Sequence, residues 1–144
     1  MPDSSRYNYN IKLIVQATPQ ISEPYNTKYL LKSVDKKLRL PFLNVGFTKT
    51  SQETLDDLVT YLIDCDPKWI KHSIKLLFID DKFVSEKNIK NISAIYGYMM
   101  MPEMENVFIN DPDCTWVSIT ELMDKKEEFY NNDFYILQKG MTMI

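Results

Sequence analysis

The sequence predicts an α+β fold in which a mixed β-sheet is sandwiched between helices within a single domain. Three observations predict it. Short aliphatic runs recur between polar turns, the pattern of sheet strands. One segment carries a complete helix signal with its own start motif. The elements fall in the order β-β-β-α-β-β-β-α-α, which lacks the βαβ alternation of an all-parallel sheet.

Residues 1–9 are polar and read as a flexible N-terminal arm, leaving 10–144 as the folded domain. Ile11 to Ala17 is an aliphatic run and reads as a strand. A loop with Pro19 and Pro24 follows. Lys28 to Val34 is a second strand, Asp35-Lys36-Lys37 a polar turn, and Leu38-Arg39-Leu40 a short third strand. Pro41 is expected to end it, because proline has no N–H for a ladder. Thr50 and Glu53 then form a T-x-x-E capping box, in which each side chain accepts from the other residue's amide. Leu55, Leu58, Val59, Leu62 and Ile63 supply the i, i+3, i+4, i+7, i+8 stripe of a half-buried helix, with Pro67 as its stop.

Ser73 to Ile79 reads as a strand and Asp80-Asp81-Lys82 as a turn, whereas residues 85–92 carry no decisive pattern. Ser93 to Met101 is a further strand, ended by Pro102, and Asn106 to Ile109 reads as a short strand or a loop and is not counted in the order above. Asn110-Asp111-Pro112-Asp113 is a turn. Thr115-Trp116-Val117 is a strand leading into Ser118, which is expected to cap a helix with Glu121 three residues on. Asp133 to Lys139 reads as a last helix, closed by Gly140 at the C′ position.

Composition excludes several chemistries. The three glycines, Gly46, Gly97 and Gly140, form neither G-x-G-x-x-G nor a P-loop, so both phosphate cradles are absent. One histidine, His72, and two cysteines, Cys65 and Cys114, do not make a Cys/His zinc site or a disulfide scaffold. A net charge of −3 leaves no footprint for strong nucleic-acid binding. No apolar run is long enough for a membrane span, and the first residues lack the apolar stretch of a signal peptide, so a cytoplasmic protein is expected. Abundant Lys, Ile, Asn and Tyr are typical of an AT-rich genome, which makes a viral source, in the host cytoplasm or the virion, one expectation.

With the elements in order, the chain resembles the Nudix family. Lys28-Tyr29-Leu30-Leu31 followed by Leu38-Arg39-Leu40-Pro41 is similar to the strand-turn-strand that ends in proline before the family's signature loop. Gly46 with Glu53-Thr54 is similar to the start of the signature helix. Thr115 to Leu122 is similar to the late Trp-containing strand, and Asp133 to Gly140 to the C-terminal helix. The resemblance implies an active member would hold Mg²⁺ or Mn²⁺ on successive helix glutamates. Such a metal activates water and offsets diphosphate charge.

The signature is a Gly, five residues, Glu, seven residues, Arg-Glu, an aliphatic, one residue, Glu-Glu, one residue and Gly. Here Gly46 to Glu53 is one residue too long, Tyr61 and Leu62 stand at the Arg-Glu positions, and the aliphatic is kept as Ile63. Cys65 and Asp66 replace the Glu-Glu pair, and Lys68 replaces the closing Gly. Leu62 falls on the apolar stripe and is expected to pack inward. Asp56, Asp57 and Asp64 are additional acids, and Asp57 and Asp64 lie two turns apart on one face.

The function expected is therefore a non-catalytic Nudix-like binding module with no cofactor. Its partner is a protein, a second copy or a nucleotide-like ligand, with no membrane or nucleic acid. The alternative is a metal-dependent hydrolase of nucleoside diphosphate derivatives, with Glu53 and Asp66 catalytic and Glu53, Asp57, Asp64 and Asp66 around Mg²⁺ or Mn²⁺. Other residues have plain readings beside functional ones. His72 is a surface histidine or a general base. Cys114 is a bystander, a partner of Cys65, or a nucleophile served by His72. Met99, Met100, Met101 and Met104 fill the core or an adaptable surface. Tyr7, Tyr9, Tyr25, Tyr29, Tyr96 and Tyr98 offer interface aromatics, and Lys68, Lys71 and Lys75 a solvated basic edge.

Overall fold

Strand β1 (Arg6–Ala17) runs through the middle of the sheet and explains most of what surrounds it. The structure is a computed structural model, described here for residues 6–17, 27–63, 67–84, 88–100 and 109–144. The other strands are β2 (Lys28–Val34), β3 (Lys37–Arg39), β4 (Phe42–Asn44), β5 (Lys75–Val84), β6 (Ile89–Met100) and β7 (Cys114–Ser118). The helices are α1 (Ser51–Leu62), the single turn α2 (Pro67–Ile70) and α3 (Asp133–Gly140). The seven-stranded sheet has the order β3-β2-β1-β6-β5, with β4 also on β1 and β7 also on β2. β1 and β6 are parallel from Arg6↔Ile89 to Ala17↔Met100, whereas the other pairings are antiparallel, so the sheet is mixed.

β1 is buried on both faces, which is why it reads as a continuous aliphatic run. Ile11, Leu13, Val15 and Ala17 pack in one cluster with Leu55, Leu58, Val59 and Leu62 of α1. Ile14 belongs to the opposite cluster with Phe134, Ile136 and Leu137 of α3. The alternation of side chains along a strand thus divides the core into two layers, one under each helix. β2 and β3 form a hairpin whose two turn residues, Asp35 and Lys36, have φ of 50° and 65°, the left-handed pair of a type I′ turn.

Several expectations need correction. Residues 6–9, read as part of an arm, belong to β1, while residues 1–5 lie outside the described set. The third strand is Lys37–Arg39, one residue earlier than read, and it ends before Pro41 as expected, but Pro41 still takes part in the sheet. Its carbonyl accepts from Leu13 N–H at 2.9 Å, and β4 pairs with β1 immediately after it. Pro67 does not stop α1. The helix ends at Leu62, Ile63 is extended and bridges to Ile109, and Pro67 starts α2. Of the short strand expected at Asn106 to Ile109, only Ile109 is described.

Asp80-Asp81-Lys82 is no turn. It lies within β5, where a bulge between Asp80 and Phe83 absorbs an extra residue. β6 begins at Ile89, inside the stretch without a decisive pattern. Ser118 does not cap a helix. Its hydroxyl donates to the Glu121 carboxylate instead of accepting from the Glu121 amide, and the chain passes through turns to a 3₁₀ turn at Lys126–Glu128. Gly140 is the last residue of α3, not its C′ position, and has no positive φ. A Cβ there would lie 2.2 Å from Ile14 Cδ1, so the end of that buried side chain would have to move.

Candidate functional site

Helix α1 is where the resemblance places the chemistry. Thr50 caps it in extended conformation, and its side chain accepts from Glu53 N–H at 3.1 Å. Thr50 N–H in turn donates to Glu53 Oε1 at 3.1 Å, which completes the expected capping box. Thr54 Oγ1 adds a bond to the Thr50 carbonyl. The Glu53 carboxylate thus satisfies an otherwise orphan amide and complements the positive end of the helix.

The remaining acids of α1 also have local partners. Asp57, one turn after Glu53, pairs with Lys49 from the preceding loop, on the surface. Asp56 accepts from Gln52 Nε2 at 3.0 Å. Leu62 is 1% exposed and packs into the core as expected, while the neighbouring Tyr61 is 52% exposed. Among the described residues, no group of three or more His, Cys, Asp or Glu side chains converges as a metal site. Asp64, Cys65 and Asp66 lie outside the described residues. Each described acid of α1 thus has a local hydrogen-bond or ion-pair partner.

A recess of about 50 Å³ beside α1 is lined by Gln52, Asp56, Lys71 and Tyr96, among others. It is too small for a nucleotide. Lys68, Lys71, Lys75 and His72 are exposed around α2 and the start of β5. In the loop before α1, Phe47 is fully exposed.

Two buried ion pairs were not foreseen. Lys12 on β1 meets Asp133, the first residue of α3, with side-chain exposures of 7% and 0%. Asp133 Oδ2 also accepts from Leu40 N–H at 2.9 Å. Lys32 on β2 lies 2.9 Å from Asp111 Oδ2, whose side chain is fully buried. Asp111 Oδ1 accepts from Asp113 N–H at 2.9 Å, an Asx turn that fixes the approach to β7. Burial acts to raise the Asp111 carboxyl, but the bonds from Lys32 and from the Asp113 amide, with the Lys32 charge, outweigh it and hold its pKa below the ordinary value.

Cys114 sits beside this pair. Burial, then the Asp111 charge, pushes its thiol up to about 12, so it is a neutral thiol and a poor nucleophile at neutral pH. Burial likewise raises Tyr29 to about 12, and its hydroxyl donates to Gln16 Oε1. Tyr29 and Tyr98 are core residues, Tyr9 and Tyr96 are half-buried, and Tyr7 is exposed. Met100 is buried and Met99 exposed, while Tyr25, Met101 and Met104 fall outside the described residues.

Compared by sequence, the chain matches no family model and no curated protein. By structure it is similar to many solved proteins. A bifunctional NMN adenylyltransferase/ADP ribose pyrophosphatase from Francisella tularensis, complexed with AMP and a manganese ion, gives a TM-score of 0.76 at 9% identity. That match covers 96% of this chain, which spans only 42% of the Francisella chain. The C-terminal domain of mouse MUTYH, in complex with human PCNA, gives 0.69 at 11% identity, covering 93% of this chain and 86% of that one. The NUDIX domain of Shewanella oneidensis NrtR, complexed with ADP ribose, gives 0.66 at 10% identity over 98% and 89% of the two chains. The chain has a divergent Nudix-like fold. Among the described residues, no helix is long and apolar enough to cross a membrane.

Proposed function

We propose that this Nudix-like domain is a binding module that does not hydrolyse nucleoside diphosphate derivatives. The observation that carries this reading is the bond from Thr50 N–H to the Glu53 carboxylate. It commits the acid at the first glutamate position of the signature to holding the start of α1. Lys49 on Asp57 and the inward Leu62 support the same reading. A fold outlasts its site, and function follows the site.

A protein partner suits the surface better than a nucleotide does. Phe47 and Tyr61 stand exposed before and at the end of α1, and aromatics of this kind anchor protein interfaces. The MUTYH domain solved with PCNA is a structural neighbour in complex with a protein, and the NrtR domain one with ADP ribose bound. The test is a hydrolysis panel of ADP-ribose, dinucleotides, nucleoside triphosphates and capped RNA, each with Mg²⁺ and with Mn²⁺. The expected result is no turnover above buffer. Turnover that is lost in Glu53→Gln overturns the reading and makes the domain a hydrolase.

A further inference from the structure

Arg39, the last residue of β3, lies over two aromatic rings. Its Cζ lies 3.8 Å from the ring centroid of Phe42 and 4.0 Å from that of Tyr130. Stacking on aromatic rings uses the π-face of a guanidinium and leaves its in-plane N–H groups for hydrogen bonding. Among the described residues no carboxylate pairs with it. Its Nε is buried and has no hydrogen-bond partner. A guanidinium without a carboxylate partner is a ready receptor for an oxyanion through its remaining N–H groups.

Arg39 opens onto a recess of about 530 Å³, a volume within the range of small-molecule sites. Lys37, Asn131 and Tyr130 share its lining, together with Asp35, the one acid among the described residues that line it. Lys37 lies two residues from Arg39 on the same strand and so on the same side of it. Two cations and a side-chain amide stand against that one acid. A doubly charged group exploits both cations, whereas a carboxylate exploits one.

We propose that this recess binds a small molecule by its phosphate monoester, with Arg39 supplying a planar pair of donors and Lys37 a second positive charge. The site is built from β2, β3 and residues 129–131, with no residue of α1. It therefore stands whether or not α1 supports hydrolysis.

The test is calorimetric titration of the full chain in EDTA with inorganic phosphate, AMP and adenosine, at constant ionic strength. Saturable binding of phosphate and AMP, and none of adenosine, is expected. Arg39→Lys keeps the charge but loses the planar fork, and should bind at least about tenfold more weakly, the order expected for losing charge-assisted hydrogen bonds. Lys37→Met leaves the stacking of Arg39 on Phe42 and Tyr130 intact, and should weaken binding several-fold with an unchanged melting temperature, which keeps the proposal testable if the Arg39 variant fails to fold. Absence of saturable binding at millimolar phosphate overturns it. So does AMP binding that both variants leave unchanged, or binding of adenosine as tight as that of AMP.

Discussion

Lys12 on β1 and Asp133 at the start of α3 form a buried ion pair between residues 121 apart in sequence, and Asp133 also receives the Leu40 amide. One carboxylate thus joins the central strand, the end of the β3 segment and the last helix. Removing one partner strands the other charge in the core. Asp133→Ala or Lys12→Met should each cost about 3–5 kcal/mol of unfolding free energy, and the double replacement Lys12→Met/Asp133→Leu should recover a large part of it. Urea unfolding of the three variants checks this. Additive losses would mean that the two residues act separately.

The Lys32–Asp111 pair predicts a pH dependence. Asp111 has a folded pKa below its ordinary value, so its contribution is complete above the ordinary carboxylate range and is lost as pH falls through the lowered value. Lys32 is opposite in sign. Burial acts to lower its pKa, but its bond to Asp111 and the Asp111 charge raise it overall. Its contribution is complete below the ordinary lysine value and is lost as pH rises through the raised one. Asp111→Asn should be less stable at neutral pH by on the order of 2 kcal/mol, below the cost for a fully buried pair because the Lys32 side chain is 23% exposed. It should also lose less stability than the parent protein between neutral pH and acid. Unfolding free energies measured across pH for both proteins test this.

Gly140 and Ile14 are in contact where α3 lies on β1. Gly140→Ala would place a methyl group 2.2 Å from Ile14 Cδ1, and should destabilise by about 1–3 kcal/mol through overpacking. Ile14→Val removes that carbon, so adding it to Gly140→Ala should restore stability relative to the single variant. Thermal melts of the single and double variants decide whether the contact is the cause.

The capping box gives a smaller, local effect. Thr50→Ala removes the acceptor for the Glu53 amide and should cost about 1 kcal/mol. Chemical denaturation measures it. A cost near zero would mean that the box contributes little and that the Glu53 carboxylate is free for another role.

The Thr50–Glu53 box was legible because both partners lie within one helical turn and the apolar stripe follows directly. β2 was legible for a similar reason, as an aliphatic run closed by the polar Asp35-Lys36-Lys37, although Lys37 belongs to β3. Ser118 and Glu121 offer the same spacing as Thr50 and Glu53, yet the two side chains bond each other and no helix follows. Spacing alone does not choose between those bonds. Asp80-Asp81-Lys82 looked like a turn because polar runs usually are, but an edge strand with a bulge accommodates them. Lys12 and Asp133 carried no local sign of each other. The stacking of Arg39 on Phe42 and Tyr130 was equally hidden, since Tyr130 lies 91 residues after Arg39 and is brought near by the bridge between Leu38 and Phe129 and by the Leu40–Asp133 bond.

The measurement that tests the central claim most directly is a Mn²⁺ titration of the protein followed by amide relaxation in NMR. If Glu53 serves the capping box and not a metal, sub-stoichiometric Mn²⁺ should leave the amides of Thr50 to Asp57 no more broadened than the rest of the surface, in the parent protein as in Glu53→Gln. Selective broadening of those amides, absent in Glu53→Gln, would contradict the claim and restore α1 as a metal-bearing helix.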